Sequence, residues 1–132
     1  MNVGDFGGTD VGSYAISVQR LNRPIGCRAL SSGAVIVGSI AAPGEMDCYM
    51  VAAVAGDRVR IRLVDVSGSS VTREETLRPS ETALCGPTTT DDVTCVNDAT
   101  GHLTIIVEDA HQNGPEATRS RHGGWISQAT VR

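Results

Sequence analysis

The run D-R-V-R-I-R-L-V-D-V, residues 57–66, alternates charged and apolar side chains almost without interruption. Successive side chains of an extended strand point to opposite faces, so Val59, Ile61 and Leu63 share one face and Arg58, Arg60 and Arg62 the other. This period of two predicts a half-buried strand, with the first set in a core. The arginine stripe reads as a solvated face paired with Glu and Asp on a neighbouring strand. The competing reading is a grip on a polyanion through guanidinium forks.

Outward from that strand the same punctuation recurs. Residues 12–20 (GSYAISVQR) place Tyr14, Ile16 and Val18 on one face and Ala15, Ser17 and Gln19 on the other. Residues 34–40 follow a glycine, A-A-P-G-E at 41–45 makes a turn, and residues 47–54 form the next strand. Residues 71–77, 82–85, 92–96, 102–108 and 125–131 complete the series, separated by Gly, Pro, Ser and Asp. About eight short, regularly punctuated strands plus an extra N-terminal one predict an all-β antiparallel sandwich.

Composition narrows the class. A chain of 132 residues is long enough for one domain with its own core. The formal net charge of -4, with no Lys/Arg cluster, excludes the basic footprint of a general nucleic-acid binder. All eleven basic residues are arginine, which reads as a composition bias rather than a site. No apolar run is long enough for a membrane span, and MNVGDFGGTD lacks the basic start and apolar stretch of a signal peptide.

The four cysteines, Cys27, Cys48, Cys85 and Cys95, are widely spaced. Zinc sites bring ligands in close pairs and redox sites use C-x-x-C, so neither pattern fits. An even number flanking turn-rich segments suits two disulfides in an oxidising compartment. Three pairings exist; Cys27–Cys48 and Cys85–Cys95 are favoured because each brackets one hairpin. Four buried free thiols are the alternative.

The two ends of the sequence echo each other. Val3, Asp5, Gly12 and Tyr14 match Val107, Asp109, Gly123 and Trp125 in order, with seven more residues between Asp and the aromatic in the second copy. Residues 1–23 therefore read as the closing strand of a preceding repeat with its linker, and residues 24–132 as one complete repeat.

The ordered pieces G-S-I-A-A-P-G-E-M-D-C-Y (38–49), A-G-D-R-V-R-I-R (55–62), G-H-L-T-I-I-V-E-D (101–109) and G-G-W (123–125) resemble the bacterial pre-peptidase C-terminal domain. G-S-Y-A-I-S-V-Q-R-L-N-R-P (12–24) resembles the junction between two such repeats, and C-G-P-T-T-T-D-D-V-T-C (85–95) a tandemly repeated branch of that family. The resemblance implies a jelly-roll-like sandwich, exported or at the cell surface, non-catalytic, acting as an accessory or adhesive module. Two departures stand out: Arg-Pro-Ser-Glu at 78–81 occupies the place of Arg-Pro-Asp-Gly, and the 110–122 loop is long. The last strand also carries Ser127 and Ala129 where larger apolar residues are expected.

Catalytic motifs are missing: there is no G-x-S-x-G, H-E-x-x-H or Walker loop. A triad of His111 or His122 with Asp109 and Ser120 can be drawn, but such triples arise by chance in a Ser-rich chain, so the reading is not an enzyme. Cofactors are not expected. Asp91, Asp92 and Asp98 could join a hard-cation site, and some members of the resembled family bind calcium near the start of the domain. These acids lack a D-x-D-x-D-G loop and read rather as Asx-type turns.

The aromatics Phe6, Tyr14, Tyr49 and Trp125 offer little to a sugar, since the strand pattern points three of the four inward. A ligand could be held by the polar 111–122 loop through Gln112, Asn113, Arg119, Arg121 and His122, although a long solvated loop explains it as well. The expectation is an extracellular binding or adhesive module of a secreted tandem-repeat protein. Its partners would be neighbouring repeats, a polysaccharide or a cell-surface protein. The alternative is a structural subunit joined head-to-tail by donating the strand of Tyr14, Ile16, Val18 and Leu21 to a sheet of the same or another chain.

Overall fold

The computed structural model describes residues 12–22, 24–67, 71–110 and, as backbone, 125–131. Nine strands run through them: β1 (Arg28–Ala29), β2 (Val35–Gly38), β3 (Met46–Ala53), β4 (Arg58–Asp65), β5 (Thr72–Leu77), β6 (Ala83–Thr88), β7 (Asp92–Val96), β8 (Gly101–Asp109) and β9 (Trp125–Val131). They form a five-stranded sheet in the order β1-β3-β8-β5-β6 and a four-stranded sheet in the order β2-β9-β4-β7. No helix occurs among the described residues, so none there is long and apolar enough to cross a membrane.

The alternation in residues 57–66 decides the layering as expected. Val59, Ile61 and Leu63 of β4 are buried while Arg58, Arg60 and Arg62 are exposed. They meet Tyr49, Val51 and Ala53 of β3 and Leu103, Ile105 and Val107 of β8 in one core, to which Leu30 also belongs. A smaller cluster of Cys48, Leu77 and Ile106, with Cys27 and Met46 against it, lies on the other side of the five-stranded sheet.

Turns are fixed by the groups the sequence supplies. Glu45 Oε2 accepts from the backbone N–H of Ala41 and Ala42 at 2.6 and 2.9 Å, which closes the Pro-Gly turn before β3. Asp57 Oδ2 accepts from Val54 N–H at 2.8 Å, closing the turn between β3 and β4. Buried Asn97 completes that corner by donating to the carbonyls of Val54 and Ala99. Gly86 has φ 83°, and a Cβ there would stand 2.6 Å from the carbonyl oxygen of Glu74, so β6 can lie along β5 only with glycine at that point.

Both disulfides pair as favoured. Cys27–Cys48 ties the chain before β1 to β3, and Cys85–Cys95 ties β6 in one sheet to β7 in the other.

The sandwich is antiparallel as expected, apart from the two-residue β1, which runs parallel to β3. One expectation is not met within the single chain. Residues 12–22 form no strand and join neither sheet. The physical reason lies in β9. It already fills the position between β2 and β4 that a copy of itself would take, so the single chain has no slot left for its N-terminal echo.

Candidate functional site

Residues 12–22 instead lie against the folded body. Ser17 Oγ donates to the carbonyl of Gly44, Ala15 touches Gly44, and Gln19 Nε2 approaches the Ile25 carbonyl at 3.4 Å and Cys27 Sγ at 3.9 Å. These contacts set Leu21 and Pro24 beside the outward face of the five-stranded sheet.

Met50 of β3 and Thr104 of β8 are cross-strand partners on that face, and His102 lies two positions before Thr104 on β8. The turn between β5 and β6 adds Arg78 and Pro79. Together with Leu21 and Pro24 these residues line a shallow cavity of about 410 Å³. Its walls are held. Arg78 Nε donates to Asp98 Oδ1 at 2.8 Å while its Nη1 donates to the Ala83 carbonyl. The ring of Pro79 closes over the start of β8 at Gly101, where φ is 151° and a Cβ would sit 2.8 Å from Pro79 Cγ. The groove thus joins an apolar floor with the imidazole of His102, the hydroxyl of Thr104 and a fixed guanidinium.

A second concavity, also about 410 Å³, lies on the outward face of the four-stranded sheet between Arg58, Arg60, Asp92 and Thr94. Here Arg60 donates to both carboxylate oxygens of Asp92, with Nε 2.8 Å from Oδ1, and Arg62 Nε stands 3.6 Å from the same residue. The bonds from Arg60 hold the Asp92 carboxyl below its usual range. The expected pairing of the stripe with an acid on the neighbouring strand is met in Arg60 and Arg62, which leaves less free cation for a polyanion.

Two of the acids considered for a hard cation are also engaged elsewhere. Asp92 is held by Arg60, and Asp98 by Arg78, whose bonds lower its pKa; for Asp91 it is the backbone carbonyl, not the carboxylate, that accepts from Leu63 N–H at 2.9 Å. Among the described residues no group of three or more His, Cys, Asp or Glu is gathered for a metal.

One buried acid escapes the sequence pattern. Thr72, Glu74 and Thr76 alternate along β5 as a solvated face would, yet Glu74 is 1% exposed and Thr76 fully buried, opposite Val107 and Ile105 of β8. Thr76 Oγ1 donates to Glu74 Oε2 at 3.1 Å while Oε1 has no partner. Loss of water raises this carboxyl to about 7, against the pull of the Thr76 bond, and the neighbouring Glu75 adds to the rise. Burial likewise raises Asp47, whose carboxylate accepts from the Tyr49 hydroxyl at 3.3 Å.

Of the aromatics read as inward-facing, Tyr49 is buried. Tyr14 is the opposite, 71% exposed, with Ile16 at 54% and Val18 at 85% beside it. The apolar stripe predicted for self-association is therefore on the surface, and only Leu21 of the four lines the groove. The loop candidates Gln112, Asn113, Arg119, Arg121 and His122 lie outside the described residues, as do His111, Ser120, Phe6 and the side chain of Trp125. Asp109, the acid of the drawn triad, is buried.

No protein-family model and no curated protein sequence matches this chain. Solved structures do. The pre-peptidase C-terminal domain of a collagenase from Bacillus anthracis superposes with a TM-score of 0.57 at 15% identity, over 84% of this chain and 99% of that one. PliG from Aeromonas hydrophila, a periplasmic inhibitor of g-type lysozyme, gives 0.52 at 15% identity over 80% and 98%. PliG from Salmonella Typhimurium gives 0.50 at 13% over the same shares. At these identities the likeness is one of fold.

Proposed function

We propose that this chain is a non-catalytic, exported binding module from a secreted tandem-repeat bacterial protein, and that it holds an extended segment of a partner protein in the groove beside Leu21 and Pro24. The observation that carries this is the groove itself. It is a concave surface with Leu21, Met50 and Pro79 for apolar contact and His102 and Thr104 for hydrogen bonds. Its arginine is already fixed by Asp98. Pre-organised walls favour binding, because little side-chain freedom remains to be lost.

Several features support the rest of the reading. Two disulfides suit an oxidising compartment. The shared sandwich occurs as the pre-peptidase C-terminal domain of a collagenase and as an inhibitor of g-type lysozyme, the latter directed at a protein. Among the described residues the groove is lined by aliphatic and hydrogen-bonding side chains and by no aromatic one, which favours a peptide segment over a stacked sugar.

The test is retention of the disulfide-intact chain on immobilised g-type lysozyme, gelatin, chitin, cellulose and peptidoglycan. Retention on a protein support, weakened about tenfold or more by Met50→Glu, is the expected result. Retention only on a polysaccharide would overturn the assignment of the ligand class. No retention on any support, or retention indifferent to Met50→Glu, would overturn the groove as the site.

A further inference from the structure

We infer that residues 14–20 are a second copy of strand β9 and take its place, between β2 and β4, in another molecule of this chain. Aligning Gly12 with Gly123 and Tyr14 with Trp125 places Ile16 at position 127, Ser17 at 128, Val18 at 129 and Gln19 at 130 without a gap. The register of β9 then says what each would meet. Position 127 stands opposite Leu63 and position 129 opposite Ile61, both buried residues of the core face. Positions 128 and 130 stand opposite Arg62 and Arg60 on the solvated face.

In that slot the N-terminal segment is more apolar on its core face than the strand it copies. It would set Ile16 and Val18 against Leu63 and Ile61, where β9 supplies Ser127 and Ala129. More apolar surface would leave water at two central positions of the sheet. On the other face Ser17 and Gln19, uncharged and able to accept hydrogen bonds, would lie beside two guanidinium groups. In the single chain the same Ile16 and Val18 are left in water, as is Tyr14.

The occupant is another copy because the segment is held away from its own slot. Its contacts are with Gly44, Ile25 and Cys27, and it leads into β1 of the opposite sheet. The slot between β2 and β4 offers ladder partners on both sides, so a strand entering it is paired along both edges, as β9 is, and β9 is released. Each acceptor still carries an N-terminal segment that has not been donated. The exchange can therefore close as a reciprocal dimer or continue head-to-tail into longer particles. This goes beyond the groove reading and does not depend on it.

The experiment is particle mass by light scattering over about 1 µM to about 1 mM, after incubation near the unfolding midpoint and return to native buffer, which lets β9 exchange. The wild-type chain should form dimers or longer particles that grow with concentration. Ile16→Asp with Val18→Asp alters only exposed side chains of the monomer, and should stay monomeric with an unchanged unfolding midpoint. Ser127→Ile with Ala129→Val strengthens the resident strand and should shift the population towards monomer. A wild-type chain that remains monomeric throughout overturns the inference. So do particles that survive undiminished in the Ile16/Val18 variant.

Discussion

Ile61 and Arg60 are neighbours in sequence with opposite environments, and the alternation in residues 57–66 is enough to tell them apart. Ile61 is 1% exposed, so Ile61→Ala should cost about 2–5 kcal/mol in chemical denaturation. Arg60 is bonded to Asp92 in open solvent, so Arg60→Ser should leave the midpoint nearly where it was. Glu74 defeats the same rule, because a Thr-Glu-Thr alternation looks solvated and only the pairing of β5 with β8 and β6 turns it inward. Unfolded, its carboxyl ionises near the ordinary value of about 4.3, whereas folded it holds its proton to about 7. Across that interval the native state binds a proton that the unfolded chain has released. Stability should therefore fall as pH rises from about 4.5 to about 7, by an amount on the order of 3 kcal/mol, and then level off. Denaturation of Glu74→Gln between pH 4 and pH 8 should show that slope removed; an unaltered slope would assign it to other groups. Glu81 is a third case. It stands where the resembled pattern has glycine, and its φ of 70° is a left-handed conformation that costs a side-chain-bearing residue about 1 kcal/mol. Glu81→Gly should thus raise the unfolding midpoint even though it removes a side chain.

At the scale of elements, most of the sandwich was legible because each strand is bounded by residues that cannot continue it. Residues 92–96 and 125–131 coincide with β7 and β9, and the other predicted strands lie within a few residues of β2 to β6 and β8. Strand β1 was invisible, since two residues carry no period and its parallel pairing with β3 depends on chain routing. The strand expected over residues 12–20 is not formed within the single chain, for the converse reason. The pattern is sound, but pairing needs a free slot, and the sequence cannot show that β9 occupies it. The cysteines were readable through the same hairpin logic, and their consequence is mechanical. Cys85–Cys95 joins the edge of one sheet to the edge of the other across the turn between β6 and β7. Replacing both residues by serine should lower stability by about 2–4 kcal/mol. Peptide mapping without reduction should recover both bridges from native protein, and four alkylatable thiols would contradict them.

For the molecule as a whole, the two outward sheet faces have different characters. The four-stranded sheet presents arginines already paired with Asp92, and the five-stranded sheet presents a groove of mixed apolar and hydrogen-bonding residues. The groove was not legible in the sequence. Leu21, Met50, Arg78 and His102 come from four separated stretches, and nothing in their local patterns announces that the route of the chain past Gly44 and Cys27 will bring Leu21 to the outer face of β3 and β8. The proposed groove puts the contact with a partner segment on that face. The direct measurement is the backbone amide spectrum of the labelled chain titrated with the protein probe it retains. Shifts should concentrate at Leu21, Met50, Arg78, His102 and Thr104, with Arg58, Arg60 and Thr94 unmoved. Shifts centred on the arginine face, or none at the groove with the probe bound, would contradict the groove as the site.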